Sequence, residues 1–390
     1  MAKPPLDLAK LHLETRLMLA GRNAARYEGA VNPPIHRATT LLVDDADALY
    51  GAANKTYAID GMAVHEALQQ ALLAVEGGVQ ATLTPTGLAA CTLALMSVAK
   101  PGGELLVTDA LYAPTRRFCE TTLKQFGVST RYIDPRIGAA VGDLIHESTC
   151  GVFIESPGSV TFEFADVPAI CGVARTRNIP VILDNTWSAG VYFKPFEHGA
   201  DISVQALTKY QSGHADAFAG AVIAGTSQWA ARVHAAYKQL GLFTSPDDCS
   251  LILRGLRTLP LRLERQRAAA LVLAQWLETR PEIARVLHPA LQSHPDHAVW
   301  RRDFSGASGV FGVVLHPTPR PKLKAMLEGL SIFAMGFSWG GYESLIVPSE
   351  NIRRDAVRLD LEGPLLRLSI GLEHPDDLIG DLTQALARLA

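Results

Sequence analysis

Residues 181–216, VILDNTWSAGVYFKPFEHGADISVQALTKYQSGHAD, decide the fold of this chain. They contain two short apolar runs, residues 181–183 and 202–207, and short apolar runs bounded by turn signals predict buried strands. The first run stops at Asp184, and the second stops at Thr208-Lys209-Tyr210. Open α/β sheets bind their ligands at the carboxyl ends of their strands, so an acid and an amine are expected near one crevice.

Asp184 and Lys209 together favour pyridoxal phosphate as a cofactor. The aldehyde of this cofactor takes a lysine amine, and its ring nitrogen takes an acid as partner. Taken singly, each residue has an ordinary alternative, because an Asp after a strand often caps a helix and a Lys usually carries surface charge. The hypothesis therefore needs a phosphate site and a ring-stacking group elsewhere in the chain.

Composition places the chain among globular enzymes. Its 390 residues, 48% hydrophobic and 19% charged, suit two or more domains and a large core. The net charge of −3 gives no reason to expect nucleic acid or an anionic membrane as partner. The start of the chain lacks the apolar segment of a secretory signal, and no apolar run approaches the ~18 residues of a membrane span. We therefore expect a cytoplasmic protein.

The five cysteines point away from a disulfide framework or a zinc site. They are scattered, odd in number and lack a C-x-x-C pair, so we expect small core residues in a reducing compartment. His214 and Asp216 could be read as metal ligands, but no third ligand stands at a sensible spacing. A structural hydrogen-bonding role is favoured for both, and no metal is expected.

Short strands alternate with helices from about residue 65 onward, which predicts a mainly parallel α/β sheet. We assign residues 1–58 to an N-terminal arm, residues 59–246 to the cofactor-binding α/β domain and residues 247–390 to a smaller C-terminal α+β domain. Within the last, a long helical tract is expected over residues 251–277. Its strands are expected near residues 309–314, 331–334 and 366–369.

The turn Thr86-Gly87-Leu88 is a candidate phosphate site. It lies between a predicted strand and a predicted helix, and a helix N-terminus offers free N–H groups and a partial positive charge. An ordinary strand-to-helix turn is the alternative. Tyr112 follows the next strand and could stack on a pyridine ring, although a loop tyrosine is more often simply packed. Thr208 adds a hydroxyl beside Lys209.

Arg367 is a candidate carboxylate-binding residue. It lies among leucines in residues 365–370, where a guanidinium is costly to bury unless it is paired. Its planar fork matches a carboxylate, which could belong to a substrate or to a structural ion pair. The nearby turn Ser338-Trp339-Gly340-Gly341 is by itself only a Gly-rich loop with an aromatic residue.

Together these segments resemble the cystathionine β-lyase branch of the Cys/Met-metabolism pyridoxal-phosphate enzymes. The resemblance covers essentially the whole chain and implies fold type I, the aspartate aminotransferase-like fold, with a mainly parallel central sheet and a smaller C-terminal α+β domain. Its most specific segments are DNTW at 184–187, QALTKY at 205–210, GHAD at 213–216, RGLRTL at 254–259 and SWGGYESL at 338–345.

The resemblance implies a role for each cofactor-binding candidate. Lys209 should hold pyridoxal phosphate and move protons, Asp184 should pair with the pyridinium nitrogen, and Tyr112 should stack on the ring. The backbone amides of Gly87 and Leu88, together with the Thr208 hydroxyl, should bind the phosphate.

The resemblance also implies a substrate site for a small amino acid. Arg367 should bind the substrate α-carboxylate, with Ser338, Trp339 and Tyr112 beside it, and Tyr237 should line the distal end. We take Trp339 as a feature that favours β-elimination, because relatives acting at the γ-carbon usually carry an aliphatic residue there.

The N-terminal arm implies an assembly, and it departs from the family pattern. Tyr57 should reach into the active site of a neighbouring subunit, which makes a dimer the minimum unit, and the resemblance implies a homotetramer built as a dimer of dimers. The family commonly has Tyr-x-Arg here, with the Arg crossing to the partner's phosphate, whereas this chain has Ile59. The phosphate should bind less tightly unless another cation, such as Arg37, substitutes.

The function implied is that of a carbon–sulfur lyase which converts L-cystathionine to homocysteine, pyruvate and ammonia in methionine biosynthesis. Other cysteine S-conjugates are further candidate substrates. The alternative within the family is a γ-lyase or γ-synthase. A non-catalytic ligand-sensing protein on the same fold is less favoured, because Lys209, Asp184 and Arg367 are all present.

Overall fold

The computed structural model describes residue 7, residues 10–51 and residues 55–389. Residues 1–6, 8, 9 and 52–54 of the predicted arm therefore lie outside the described residues. The described strands form two sheets, one of seven strands and one of four. No described helix is long and apolar enough to cross a membrane.

The larger sheet is mainly parallel, as predicted. Its strands are β1 (Gln80–Thr84), β2 (Glu104–Thr108), β3 (Ser129–Ile133), β4 (Thr149–Glu155), β5 (Val181–Asp184), β6 (Ile202–Gln205) and β7 (Gly220–Ala224). They lie in the order β1-β7-β6-β5-β4-β2-β3, and β7 runs opposite to the six other strands of this sheet. β5, β6 and β7 are buried along their whole length, as expected for central strands of a sheet that is covered on both faces.

Helices cover this sheet and lead into the second one. The described α-helices are α1 (Leu13–Leu19), α2 (Ala46–Tyr50), α3 (Ala63–Glu76), α4 (Gly87–Val98), α5 (Ala113–Phe118), α6 (Val167–Thr176), α7 (Ser227–Leu240), α8 (Pro246–Leu256), α9 (Leu259–Glu278), α10 (His297–Asp303), α11 (Arg320–Glu328) and α12 (Pro375–Leu386). The predicted tract over residues 251–277 is thus two helices. Pro260 breaks it, because proline lacks the N–H and clashes with the carbonyl of the preceding turn.

The smaller sheet is antiparallel throughout. It contains β8 (Ile283–Leu287), β9 (Val310–Leu315), β10 (Leu345–Ser349) and β11 (Leu365–Ser369), in the order β10-β11-β9-β8. This sheet agrees with the expected α+β character of the C-terminal region. The domain boundaries after residues 58 and 246 stay predictions.

The strand predicted at residues 331–334 is wrong. The amides of Ser331, Ile332 and Phe333 donate to the Asp381 carboxylate at 2.8, 2.8 and 2.9 Å, so they are not available to a strand ladder. Only an isolated bridge at Ala334 remains. The strand of this region is instead β10, which the apolar pattern did not reveal.

Candidate active site

Lys209 lies four residues beyond β6, in a turn held by the Thr208 hydroxyl, which bonds both the carbonyl and the amide of Ala219 at 3.2 Å. Its amine donates a hydrogen bond to the Ser338 hydroxyl at 2.9 Å and lies 5.3 Å from the ring centre of Trp339. Burial, followed by the positive charge of Arg367, lowers the pKa of Lys209 to about 8. A useful fraction of the amine is therefore neutral, and nucleophilic, near neutral pH.

Asp184 is the last residue of β5, and its carboxylate is buried. One oxygen accepts hydrogen bonds from the amide and the hydroxyl of Thr186, at 3.1 and 2.6 Å. The other accepts one from the thiol of Cys91, with S and O 3.6 Å apart. Burial raises the pKa of Asp184, while these donors and the charge of Lys209 oppose the rise. A cationic ring nitrogen beside this carboxylate would supply the partner that a buried anion requires.

Glu155 is a site residue that the sequence analysis missed. It ends β4 and is paired in register with Asp184 on the adjacent parallel strand. Its carboxyl group accepts a hydrogen bond from the backbone amide of Tyr112 at 2.5 Å. Burial and the charge of Asp184 raise the pKa of Glu155 well above its usual range. The signal was present, since Glu155 is also an acid that directly follows a short apolar run, residues 152–154.

Tyr112 precedes α5 and is 45% exposed. Burial raises the pKa of its hydroxyl, as do the negative charges of Glu155 and Asp184, while Arg367 lowers it. The phenol is therefore protonated across the ordinary pH range. These electrostatic neighbours place Tyr112 in the same cluster as Lys209, with part of its side chain open to solvent.

Arg367 brings the smaller sheet into the cluster. It lies in β11, and its Nη2 donates to the Ser338 carbonyl at 2.9 Å. Its buried Nε has no partner among the described residues. Burial lowers the pKa of Arg367 to about 10, so the guanidinium is charged at neutral pH. In the part of the chain that the structure describes, no carboxylate forms an ion pair with it. An anionic ligand would supply both the missing acceptor and the missing charge.

Ser338 connects Lys209 to Arg367. Its hydroxyl accepts from the first and its carbonyl accepts from the second. Its φ of +106° is a conformation that side-chain-bearing residues rarely adopt, and such strain is concentrated at functional sites. The adjacent Trp339 packs edge-on against Tyr210, with ring centres 5.5 Å apart.

The N-terminus of α4 has the form of a phosphate site. The Thr86 hydroxyl accepts from the amide of Ala89 at 3.0 Å, so it caps the helix. The first amides of a helix have no intrahelical partner, which leaves those of Gly87 and Leu88 for a ligand. A Cβ on Gly87 would lie 2.5 Å from the Cβ of Ala206, so only glycine lets the helix end approach the loop that carries Lys209.

Tyr57, Tyr237 and Arg37 have other described neighbours. Tyr57 is half exposed and pairs with Thr40 through the backbone. Tyr237 lies at the end of α7, where burial and then the charge of Asp60 raise its pKa. Arg37 forms a surface ion pair with Asp247 at 2.5 Å. The described contacts therefore do not join these three residues to Lys209 within one chain.

The clustered residues fit pyridoxal phosphate. They supply an amine with a depressed pKa, a buried carboxylate for a cationic ring, an aromatic side chain in the field of that carboxylate, and a helix N-terminus for phosphate. The unpartnered Nε of Arg367 adds a place for a substrate carboxylate. Among the described residues, no group of three or more His, Cys, Asp or Glu side chains could hold a metal ion.

Comparisons with known proteins agree with this chemistry. The model of the family described as Cys/Met metabolism PLP-dependent enzyme matches residues 14–387. A putative cystathionine beta-lyase of Rhizobium johnstonii is 44% identical over 96% of each chain. Cystathionine beta-lyase MetC of Escherichia coli is 40% identical over 98% of this chain and 100% of its own.

The solved structure of an enzyme named for a different reaction is also similar. It is a cystathionine gamma synthase from Xanthomonas oryzae pv. oryzae in complex with aminoacrylate and cysteine. Its identity is 30% and its TM-score 0.89, over 97% of this chain and 98% of the other. Likeness to these proteins therefore leaves the choice between β- and γ-chemistry to the substrate site and to experiment.

Proposed function

Because the chain belongs to the Cys/Met-metabolism family of pyridoxal-phosphate-dependent enzymes, we propose that it catalyses the β-elimination of L-cystathionine to homocysteine, pyruvate and ammonia. One observation carries the proposal: the Lys209 amine is hydrogen-bonded to Ser338, which also holds Arg367. A proton-transferring amine and a carboxylate-binding cation are thereby held at one point. The similarity to proteins named cystathionine beta-lyase supports the choice of reaction.

Arg367 and Lys209 have different roles in the proposed reaction. When bound, the cofactor supplies an aldehyde that joins to amines and a cationic ring that withdraws electrons from the substrate α-carbon. Arg367 binds the α-carboxylate and so fixes which substituent of the α-carbon faces Lys209. The Lys209 amine, with its pKa near 8, then removes the α-proton as a general base.

Breaking the β C–S bond needs a proton for the sulfur. Once Lys209 has taken the α-proton, its ammonium is a suitable acid, since its pKa lies close to neutral. The hydrogen bonds that Asp184 accepts from Thr186 and Cys91 favour its charged form, in which it would hold a proton on the ring nitrogen. Replacing Lys209 with Ala should abolish turnover, and substantial remaining activity would contradict its assigned role.

Product identity tests the reaction. The purified protein is incubated with pyridoxal phosphate and L-cystathionine, and the keto acid is identified. Pyruvate with homocysteine would support β-elimination and the use of Trp339 as a marker for it. 2-Oxobutyrate with cysteine would refute β-elimination and favour the γ-lyase alternative, for which the similarity to a gamma synthase is the specific observation. Cofactor binding without either product would mean that another cysteine S-conjugate is the substrate.

The proposal extends to assembly and location. We infer a cytoplasmic homotetramer, a dimer of dimers, in which Tyr57 serves the site of a neighbouring subunit and Tyr237 lines the distal end of a substrate site. The half-exposed Tyr57, whose described contacts lie away from Lys209, supports this arrangement. Sedimentation as an active monomer would contradict it.

A further inference from the structure

Two carboxyl groups lie side by side at the carboxyl edge of the larger sheet. Glu155 ends β4, Asp184 ends β5, and the two are register partners on parallel strands. Residues paired in this way project from the same face, on strands about 4.8 Å apart. Two carboxylates this close repel each other if both are ionised. Hydrogen-bond donors therefore decide which of them carries the charge.

The donors favour charge on Asp184. It receives the amide and hydroxyl of Thr186 and the thiol of Cys91, and the amine of Lys209 adds a positive charge. Glu155 accepts the amide of Tyr112, and a hydrogen bond from the Ser159 side chain and the charge of Arg354 also favour its charged form. Asp184 has one donor more, and burial together with the charge of Asp184 raises the pKa of Glu155 well above its usual range, so we assign the proton of the pair to Glu155.

Glu155 holds the residue that carries the aromatic ring of the site. Its Oε2 accepts the Tyr112 amide at 2.5 Å, and its own amide donates to the Thr108 hydroxyl at 3.1 Å, which ties β4 to the end of β2. Tyr112 is the residue just before α5, where its backbone direction sets the direction of its side chain. A carbonyl oxygen of a neutral carboxyl group is sufficient to accept this bond.

We propose that Glu155 is a positioning residue that, in its uncharged form, holds the backbone of Tyr112 so that the tyrosine ring lies against the cofactor. The inference rests on the proposed place of Tyr112 in the cofactor site. The uncharged form matters for a second reason. A neutral Glu155 does not compete with Asp184 for the cationic ring nitrogen, so one partner defines the tilt of the ring.

The test compares Glu155→Gln with Glu155→Met. Gln keeps the carbonyl acceptor and the neutral charge, whereas Met fills a similar volume without an acceptor. Affinity for pyridoxal phosphate is measured by titrating the apoprotein and following visible absorbance. Circular dichroism of the same band reports the asymmetry of the ring's surroundings. Loss of one hydrogen bond should weaken binding about fivefold in Glu155→Met and reduce the dichroism, while Glu155→Gln should stay within about twofold of the parent.

Two controls separate positioning from loss of stability. The Asp381 carboxylate also binds backbone amides, those of residues 331–333, so Asp381→Ala should lower the Tm without changing the dichroism. In a Tyr112→Ala background, Glu155→Met should have no further effect on affinity, because no ring is left to position. Glu155→Ala replaces Glu155→Met if the latter does not fold.

Three other results of these measurements would each refute a specific claim about Glu155. Equal losses in Glu155→Gln and Glu155→Met would refute the uncharged form. Parent-like affinity and dichroism in Glu155→Met would refute positioning, as would an undiminished effect in the Tyr112→Ala background. Failure of the parent protein to bind pyridoxal phosphate would instead refute the proposed function, so the two failures are distinguishable.

Discussion

Removing the charge of Arg367 should slow the capture of pyridoxal phosphate by Lys209 at neutral pH. Burial is the larger cause of the depressed Lys209 pKa, and the positive charge of Arg367 is the second. Arg367→Met removes that charge, so the protonated amine becomes less unfavourable and the pKa rises. A raised pKa means less neutral amine below the pKa, and only the neutral amine attacks an aldehyde.

The size of the effect follows from the pKa. At about 8, roughly a tenth of the Lys209 amine is neutral at pH 7. Nearby charges shift a pKa by about one to three units, and burial, the larger cause, persists in the variant, so we expect a rise of about one unit. The neutral fraction at pH 7 then falls about tenfold, and so should the capture rate.

Capture is followed by stopped-flow absorbance after apoprotein is mixed with pyridoxal phosphate from about pH 6 to pH 10. The parent rate should rise with a midpoint near 8, the midpoint of Arg367→Met should lie higher, and the two curves should converge at high pH. Arg367→Lys keeps the charge and should follow the parent. No substrate is present, so a lost carboxylate contact cannot explain a difference. An unshifted midpoint in Arg367→Met would refute the electrostatic coupling.

Three further outcomes are expected. Gly87→Ala should weaken cofactor binding in an absorbance titration, because its Cβ would meet that of Ala206 at 2.5 Å, and adding Ala206→Gly should restore the affinity; no restoration would place the strain elsewhere. Ile59→Arg should tighten cofactor binding about tenfold, since a hydrogen bond to a charged group contributes about 1.5–3 kcal/mol; an unchanged Kd would indicate that another cation already serves the phosphate. Refolding a mixture of inactive Lys209→Ala and Tyr57→Ala subunits should recover up to about a quarter of the parent activity if sites are shared between subunits, and none if each site is built from one chain.

The residues at strand ends were the part of the site most open to prediction. Asp184 and Lys209 stand where apolar runs stop, and parallel strands present those points along one edge. The same rule applied to Glu155, which was passed over because nothing in the sequence pairs it with the Tyr112 amide. The contact of Cys91 with Asp184 depends on how α4 packs on the sheet, which apolar periodicity does not encode.

The strand predictions that were wrong or missing also have a physical cause, namely contacts between residues distant in sequence. Residues 331–334 have the composition of a strand, but a carboxylate 48–50 residues away in the chain accepts the amides of residues 331–333. β7 was missed because GAVIA is short and bounded by glycine and alanine, and its antiparallel direction follows from tertiary pairing with β1 and β6. Local pattern identifies apolar segments well, whereas partners distant in sequence decide which of them enter a sheet.

Arg367 shows how residues of the two sheets contribute to one candidate site. A buried guanidinium without a counter-ion is costly, and the chain reduces the cost only in part, through the bond from Nη2 to the Ser338 carbonyl. That bond sets the orientation of the side chain, while Nε stays without a described partner. A carboxylate that binds there removes the remaining cost, so the penalty of burial in the free protein becomes affinity and selectivity for an anion. Because the same serine also bonds Lys209, a carboxylate bound to Arg367 would lie at a defined distance from the Lys209 amine, with its α-carbon within reach of that proposed base.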